Sequence, residues 1–285
     1  MRETAPALQV RCGPYTLMWV VQPSGVADAL ADRWRAHLTD RPADLTIVVQ
    51  TAALVPPGAA QQTIEPISIA DDGAVAMQIQ CGNAVRVAWE MPRDRMVCLY
   101  DARIPARLIP ALLEHLGSAL LAAWLPLRGG LMLHACGIVH DETADLFVGP
   151  SGVGKSTLAR SVDAACVLHD DAVLLTPQGG GYHAAPGLGR EAMWSQQIGR
   201  CWPIGRTVLL ARNGPIGMTR LAAHDALPRL LRDGCYGAGP TRWHHQRLTI
   251  LGAVAERHPC YCLNYRLTID DPWSMIAAAT AAAAV

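Results

Sequence analysis

One short stretch of the chain has the residue types and the spacing to hold a chain of phosphates. It reads LFVGPSGVGKSTLA, in which Gly149, Gly154, Lys155 and Ser156 fit the pattern G-x-x-x-x-G-K-[ST]. Glycines let the backbone curl so that consecutive N–H groups face one centre, and the N-terminus of a following helix adds partial positive charge. In this pattern the lysine reaches the β- and γ-phosphates and the serine hydroxyl ligates Mg²⁺. The stretch therefore predicts a site for ATP and Mg²⁺, although several classes of protein share such a loop.

Two adjacent acidic residues follow the loop at the end of a short apolar segment. The segment CVLHDD ends in Asp170 and Asp171, where phosphate-loop folds carry a carboxylate beside the metal. Neighbouring side chains on an extended segment point to opposite sides, so the two carboxylates can have different roles. One can orient the Mg²⁺ shell while the other takes a proton from an attacking hydroxyl. The alternative is a solvated acidic pair at a turn.

A histidine lies in the strand that precedes the loop strand. His134 belongs to the apolar run LMLHACGIV. A single histidine in an apolar strand is usually a hydrogen-bonded core residue. Strands that are adjacent in a sheet bring their ends together, however, so His134 is also a candidate for the site.

These residues together resemble a known family. The stretches LMLHACGIVHDETADLFVGPSGVGKSTLA and CVLHDDAVLL resemble the catalytic domain of the HPr kinase/phosphorylases. They resemble more closely the HPr-kinase-related serine kinases found beside peptide-modifying and lasso-peptide genes. The family pattern is a histidine in LHG or LHA, a phosphate loop at a fixed distance, and a strand that ends in ADD or GDD. The match is strong over about residues 126–176, where His134 and Gly149 keep the family's separation.

The resemblance implies a role for each matching position. Asp171 would be the base that deprotonates the acceptor serine, and His134 would position the acceptor or the base. Ser156 would bind Mg²⁺, with Asp170 as a metal ligand or as support for one. The loop that would wrap the triphosphate consists of Gly149, Pro150, Ser151, Gly152, Val153, Gly154, Lys155, Ser156 and Thr157.

The chain also departs from the bifunctional HPr kinases. Those enzymes begin the loop helix with Ser-Glu-Thr and carry a glutamate metal ligand within an EIRGLG stretch. Here Thr157 follows Ser156 directly, and the corresponding stretch is APGLGREAMW, in which Glu191 is the candidate for that ligand. The missing stretch weakens the case for phosphorylase activity and for HPr as the substrate.

The elements that must position these residues follow from the hydrophobic patterning. Residues 1–105 contain short apolar runs separated by turn signals, which predicts a mostly antiparallel, β-rich platform or partner-binding region. One helix over residues 24–38, with an apolar face that runs to Leu38, interrupts them. Residues 106–285 begin with a helix over residues 107–127 and then alternate strands with helices, which predicts an α/β catalytic domain with a mixed sheet flanked by helices.

Composition and charge narrow the classes of function. The 285 residues include 24 basic and 24 acidic ones without a long basic run, which argues against nucleic acid as a partner. Glu114 and His115 in the middle of the longest apolar helix favour a buried or amphipathic helix over a membrane span. The nine scattered cysteines indicate free thiols, and the N-terminus lacks the pattern of a signal peptide. We therefore expect a cytoplasmic protein.

The leading hypothesis from the sequence is a kinase that uses ATP to phosphorylate a serine hydroxyl of a peptide or protein. A small-molecule kinase is the first alternative, with acceptor-binding candidates scattered over loops: Arg190, Arg200, Arg206, Arg242, His244 and His245. A non-kinase ATPase or nucleotide-binding module is the second. The LSGGQ-like segment, Q-loop and switch histidine of ABC-type subunits and the arginine-rich lid of adenylate-type kinases are absent, which favours hydroxyl transfer. HPr kinases assemble as hexamers, but residues 1–105 do not resemble their front domain, so the resemblance does not decide the oligomeric state and a homo-oligomer stays open.

Overall fold

The structure is a computed structural model that describes residues 6–22, 24–52, 85–90, 93–188, 196–235, 241–265 and 276. The chain divides into two compact units, Met1–Gly117 and Ser118–Val285. In the described residues the strands are β1 (Ala7–Cys12), β2 (Tyr15–Val21), β3 (Leu45–Ala52), β4 (Val85–Glu90), β5 (Arg95–Asp101), β6 (Leu131–His140), β7 (Thr143–Val148), β8 (Val167–His169), β9 (Ala172–Gln178), β10 (Gly181–Pro186), β11 (Trp202–Ala211), β12 (Gly217–Leu221) and β13 (Cys260–Asn264). The helices are α1 (Ser24–Arg33), α2 (Ile109–Trp124), α3 (Lys155–Arg160), α4 (Ala223–Asp233) and α5 (Thr241–Arg257).

The first unit contains a mixed sheet with the strand order β1-β2-β3-β5-β4. The outer pairs β1–β2 and β4–β5 are antiparallel, whereas β2–β3 and β3–β5 are parallel. The expectation of a mostly antiparallel region was therefore wrong. The reason is that α1 carries the chain across the sheet between β2 and β3, so that β3 re-enters in the same direction. The period-two pattern does hold in β4, where Val85, Val87 and Trp89 are buried and Ala88 is exposed.

Helix α1 is shorter than the apolar pattern predicts. It ends at Arg33, a 3-10 turn follows at Arg35–His37, and Leu38 is 42% exposed. The apolar face ends instead at Trp34, whose ring centroid lies 5.0 Å from that of Trp19. The buried tryptophan pair provides the contact with the sheet, so a further helical turn would add nothing to the core.

The long apolar helix is present where the sequence predicts it. Helix α2 and its flanking 3-10 turns span Ala106–Arg128. By length and composition this segment could cross a membrane, and 61% of its apolar window is buried within the protein. Glu114 on α2 forms an ion pair with Arg33 of the same unit.

The second unit is an α/β body around an eight-stranded mixed sheet. The strand order is β10-β9-β6-β7-β11-β13-β12, β8 also pairs with β6, and β10 also pairs with the start of β11. The pairs β7–β11 and β11–β13 are parallel and the others are antiparallel. The segment CVLHDDAVLL, which reads as one strand, forms β8 and β9 with a kink at Asp170 and Asp171.

Strand β7 is buried on both of its faces. Leu146 and Val148 belong to one buried apolar cluster, and Phe147 between them belongs to another. A central strand with both faces covered is typical of α/β sheets. The end of β7, from which the glycine-rich loop departs, is therefore held firmly by the core.

Candidate active site

The register of the sheet determines where the glycine-rich loop emerges. Val148, the last residue of β7, pairs with Ala135 of β6 on one side and with Leu209 of β11 on the other. The hairpin that sets the first pairing turns at Asp141 and Glu142, both with positive φ, as a tight two-residue turn requires. The loop thus begins beside the first half of β6, where His134 lies.

The glycines give the loop its curled path. Gly152 and Gly154 have φ values of 76° and 115°, a region that residues with a Cβ rarely adopt. At Gly149 a Cβ would lie 3.0 Å from a side-chain methyl of Val153 and 3.1 Å from the carbonyl oxygen of Leu210. The Val153 N–H donates to the carbonyl of Pro150 at 3.2 Å, which closes the turn. The sequence at these positions therefore matches the backbone that the loop needs.

A carbonyl on the outer side of the loop is held by two distant residues. The Val153 oxygen accepts a hydrogen bond from Arg212 Nε at 3.2 Å and one from the Tyr265 hydroxyl at 3.4 Å. These bonds fix the loop from the side of β11 and β13. Sequence reasoning did not find Arg212 or Tyr265, because no local motif marks them.

Lys155 folds back over the loop. Its Nζ donates to the carbonyl oxygens of Gly149 at 2.7 Å and Pro150 at 3.3 Å. Burial lowers the pKa of Lys155, while nearby Asp171 acts in the opposite direction. Helix α3 behind it has only six residues, so the positive potential of the loop depends mainly on Lys155 and the loop amides.

Strand pairing brings the histidine and the acidic pair to the same place. His134 of β6 pairs with Ala172 of β9, and the Ala135 N–H donates to the Asp171 carbonyl at 3.0 Å. The Asp171 carboxylate consequently lies beside His134, with 2.9 Å between Oδ1 and the imidazole Nε2. The hydrogen bond from His134 lowers the pKa of Asp171 and outweighs the opposing effect of partial burial. Asp171 is therefore ionised at neutral pH.

The loop and the His134–Asp171 pair line one cavity of about 200 Å³. Its lining residues are His134, Ser151, Gly152, Gly154, Lys155, Ser156, Thr157 and Asp171. All three residues that the sequence suggests for catalysis belong to this set. The other loop residues, Gly149, Pro150 and Val153, contribute the backbone that shapes it.

The predicted metal ligands are only partly gathered at this cavity. Ser156 lines it, whereas Asp170 does not, although Asp170 is close enough to Lys155 to influence its pKa. Glu191 lies outside the described residues. No group of three or more His, Cys, Asp and Glu side chains in the described ranges could hold a metal by itself. Mg²⁺ at phosphate sites typically takes one or two protein carboxylates, with phosphates and water completing the shell. The Ser156 hydroxyl and one carboxylate of the acidic pair are oxygen donors of the kind that such a shell uses.

A second, larger cavity adjoins the first. It measures about 430 Å³ and shares Ser151 and Gly152 with the first. The loop, the end of β11 and the end of α4 provide its lining: Pro150, Ser151, Gly152, Val153, Leu210, Ala211, Arg212, Asn213, Arg229, Arg232 and Asp233. Arg232 donates to Asp233 through Nε at 2.9 Å and through Nη2 at 2.7 Å, and this bond lowers the pKa of Asp233. With three arginines and one aspartate, the cavity carries net positive charge.

Of the loop residues suggested for a small-molecule acceptor, those whose side chains the structure describes line neither cavity. Arg206 instead forms an ion pair with the buried Asp145, with 2.9 Å between Nε and Oδ1. The exposed Arg200, His244 and His245 line neither cavity. Arg190 and the side chain of Arg242 are outside the part of the chain that the structure describes.

Comparisons with known proteins add little to this geometry. No protein-family model matches the chain, and no curated protein matches it. Among solved structures it aligns with the HPr(Ser) kinase/phosphatase from Coxiella burnetii at 12% identity and a TM-score of 0.35, over 53% of this chain and 92% of that chain.

Proposed function

We propose that this protein is an ATP-dependent kinase that transfers the γ-phosphoryl group to a serine hydroxyl of a peptide or protein. The observation that carries the proposal is the cavity where the glycine-rich loop, Lys155 and Ser156 face the His134–Asp171 pair. A loop alone would serve many nucleotide-binding proteins. An ionised carboxylate opposite the loop adds a group that can accept a proton from a hydroxyl.

The loop and Lys155 bind the triphosphate in this proposal. Lys155 Nζ now donates to two loop carbonyls, and it exchanges these for phosphate oxygens when the nucleotide binds. The loop amides are already arranged by Gly152 and Gly154, so binding requires little rearrangement of the backbone. Mg²⁺, held through Ser156 and an acidic residue, would supply charge neutralisation on the phosphates.

Asp171 takes the proton of the acceptor. As the acceptor oxygen bonds to the γ-phosphorus, its proton passes to the Asp171 carboxylate, the bond from phosphorus to the bridging oxygen breaks, and ADP leaves. His134 holds one carboxylate oxygen at 2.9 Å and thus orients the other toward the cavity. Transfer of this kind depends mainly on positioning and electrostatic stabilisation.

Two neighbouring cavities favour transfer between two substrates over simple hydrolysis. They share Ser151 and Gly152, so a molecule in the larger cavity lies next to a phosphate chain in the smaller one. We propose a ribosomally made precursor peptide as the acceptor class. We also propose a cytoplasmic location, a platform or partner-binding role for the N-terminal unit, and no nucleic-acid or membrane partner.

The test is a phosphorylation assay with the full chain, Mg²⁺ and ATP labelled at the γ-phosphate. Peptides encoded by neighbouring genes and a small-molecule extract are offered as acceptors, and mass spectrometry locates the label. Label on a peptide serine supports the proposal, and label on a metabolite supports a small-molecule kinase. Release of inorganic phosphate alone would indicate an ATPase, and failure to bind Mg·ATP would overturn the nucleotide site. Lys155→Met serves as the inactive control.

A further inference from the structure

We infer that His169 is a positioning residue: it fixes the orientation of the Asp171 carboxylate by accepting hydrogen bonds from the backbone at the kink between β8 and β9. The inference rests on the proposed kinase function, since it assigns His169 a role in setting up the base.

The kink creates a need for hydrogen-bond acceptors. Strand β8 ends at His169 and β9 begins at Ala172, so the chain leaves the ladder at Asp170 and Asp171. Main-chain N–H groups that leave a ladder need another partner when water is largely excluded. For the N–H groups of Asp171 and Ala172, this partner is a side chain.

A single nitrogen of His169 provides it. Nδ1 accepts a hydrogen bond from the Asp171 N–H at 3.0 Å and another from the Ala172 N–H at 2.9 Å. The side chain is only 12% exposed, so the arrangement is sheltered from water. An atom that accepts two N–H groups carries no hydrogen, which places the imidazole hydrogen on Nε2. The Asp170 carboxylate at 3.7 Å from Nδ1 is therefore a neighbour and not a hydrogen-bond partner.

The same kink is held from the opposite side by β6. Ala135 donates to the Asp171 carbonyl at 3.0 Å, while His134 contacts the Asp171 carboxylate. The Asp171 main chain is thus fixed at its N–H by His169 and at its carbonyl by β6. With both groups fixed, the direction of the Asp171 side chain toward the cavity is set before any substrate binds.

Three substitutions separate this role from simple packing. Asn places its Oδ1 the same number of bonds from Cα as Nδ1, so His169→Asn keeps the acceptor for both N–H groups. Gln places its oxygen one bond further away, and Ala provides none. His224→Ala, at an exposed histidine on α4, is the matched control.

The kinetic result expected is a fall in kcat with nucleotide affinity preserved. His169→Ala and His169→Gln should lower kcat for phosphoryl transfer roughly 10- to 100-fold. The KM for Mg·ATP should change less than about 2-fold, because the loop is untouched, and His169→Asn should restore most of kcat. When it is combined with Asp171→Asn, His169→Ala should lower kcat no further, because the carboxylate that His169 positions is already absent. Equal loss in all three His169 variants would indicate packing alone and would overturn the inference.

Hydrogen exchange tests the assignment without any catalytic readout. The amides of Asp171 and Ala172 should exchange at least about 10-fold faster in His169→Ala than in the wild type or in His169→Asn. Unchanged exchange in His169→Ala would refute the role of His169 even in an active kinase. Faster exchange in a protein without phosphoryl transfer would instead show that the kinase proposal fails while the kink assignment stands.

Discussion

Substitution of Asp171 by Asn is the most direct test of the proposed chemistry. Asn keeps the size of the side chain and can still contact His134, but it cannot accept a proton. Loss of a general base lowers such reactions by about 10²–10⁴-fold, which corresponds to about 3–5 kcal/mol of transition-state stabilisation. Nucleotide affinity should stay within about 2-fold of the wild type, because the proposed function assigns the phosphate contacts to the loop and Lys155.

The structure predicts a much smaller effect for the partner histidine. The His134 and Asp171 side chains are 28% and 47% exposed, so solvent screens the interaction between them. Solvent-exposed pairs of this kind have an interaction free energy of up to about 1 kcal/mol. If all of it acts on the transition state, His134→Gln should lower kcat by no more than about 5-fold. The double variant should be as slow as Asp171→Asn alone.

The assay measures phosphoryl transfer to the identified acceptor, or to water when no acceptor is present, together with Mg·ATP affinity by calorimetry. The matched control is Asp141→Asn, which removes a carboxylate 2.9 Å from His140 at an exposed hairpin turn, at the end of β7 opposite to the glycine-rich loop. Unchanged transfer in Asp171→Asn would remove Asp171 from the mechanism. A loss in His134→Gln as large as that in Asp171→Asn would show that His134 itself performs the proton transfer.

Three further predictions concern the support of the site. Arg206→Met should lower the free energy of unfolding by about 3–5 kcal/mol, because it leaves the buried Asp145 without its partner. Burial already raises the pKa of Asp145. The difference in the free energy of unfolding between Arg206→Met and the wild type should therefore become smaller as the pH falls toward about 4 and the carboxyl takes up a proton. Chemical denaturation of both proteins at pH 7 and pH 5 can check this. Thr207→Val should raise the free energy of unfolding by about 1 kcal/mol, because the Thr207 hydroxyl is buried without a hydrogen-bond partner among the described residues; a lower melting temperature would contradict this. Arg212→Ala and Tyr265→Phe each remove a hydrogen bond to the same loop carbonyl and should weaken Mg·ATP binding about 2- to 10-fold by calorimetry, whereas unchanged affinity in both would show that the loop holds its shape unaided.

Local features of the site could be predicted from the sequence. Spacing alone located the loop of residues 149–157 between a strand and a helix, and two of its glycines, Gly152 and Gly154, have positive φ angles, which glycine adopts readily. The apolar helix α2 was likewise evident. Such features depend on backbone geometry over a few neighbouring residues, which the amino-acid types largely decide.

Other expectations needed correction because they depended on distant pairing. The parallel pairs β2–β3 and β3–β5 arise from a crossover, which the alternation of apolar residues does not reveal. Helix α1 ends early because Trp34 already completes its packing against the sheet. Burial of a whole surface, and not the propensity of a segment, determines such outcomes.

The amino-acid sequence by itself identified a glycine-rich loop, an acidic pair and a nearby histidine as candidates for phosphoryl transfer. Only the tertiary structure decided that His134 faces Asp171, that Asp170 lies outside the cavity lining, and that His169 holds the kink. The reason is that β6 pairs with both β7 and β9. Its pairing register brings together residues far apart in the chain, and register is selected by the packing of the complete sheet.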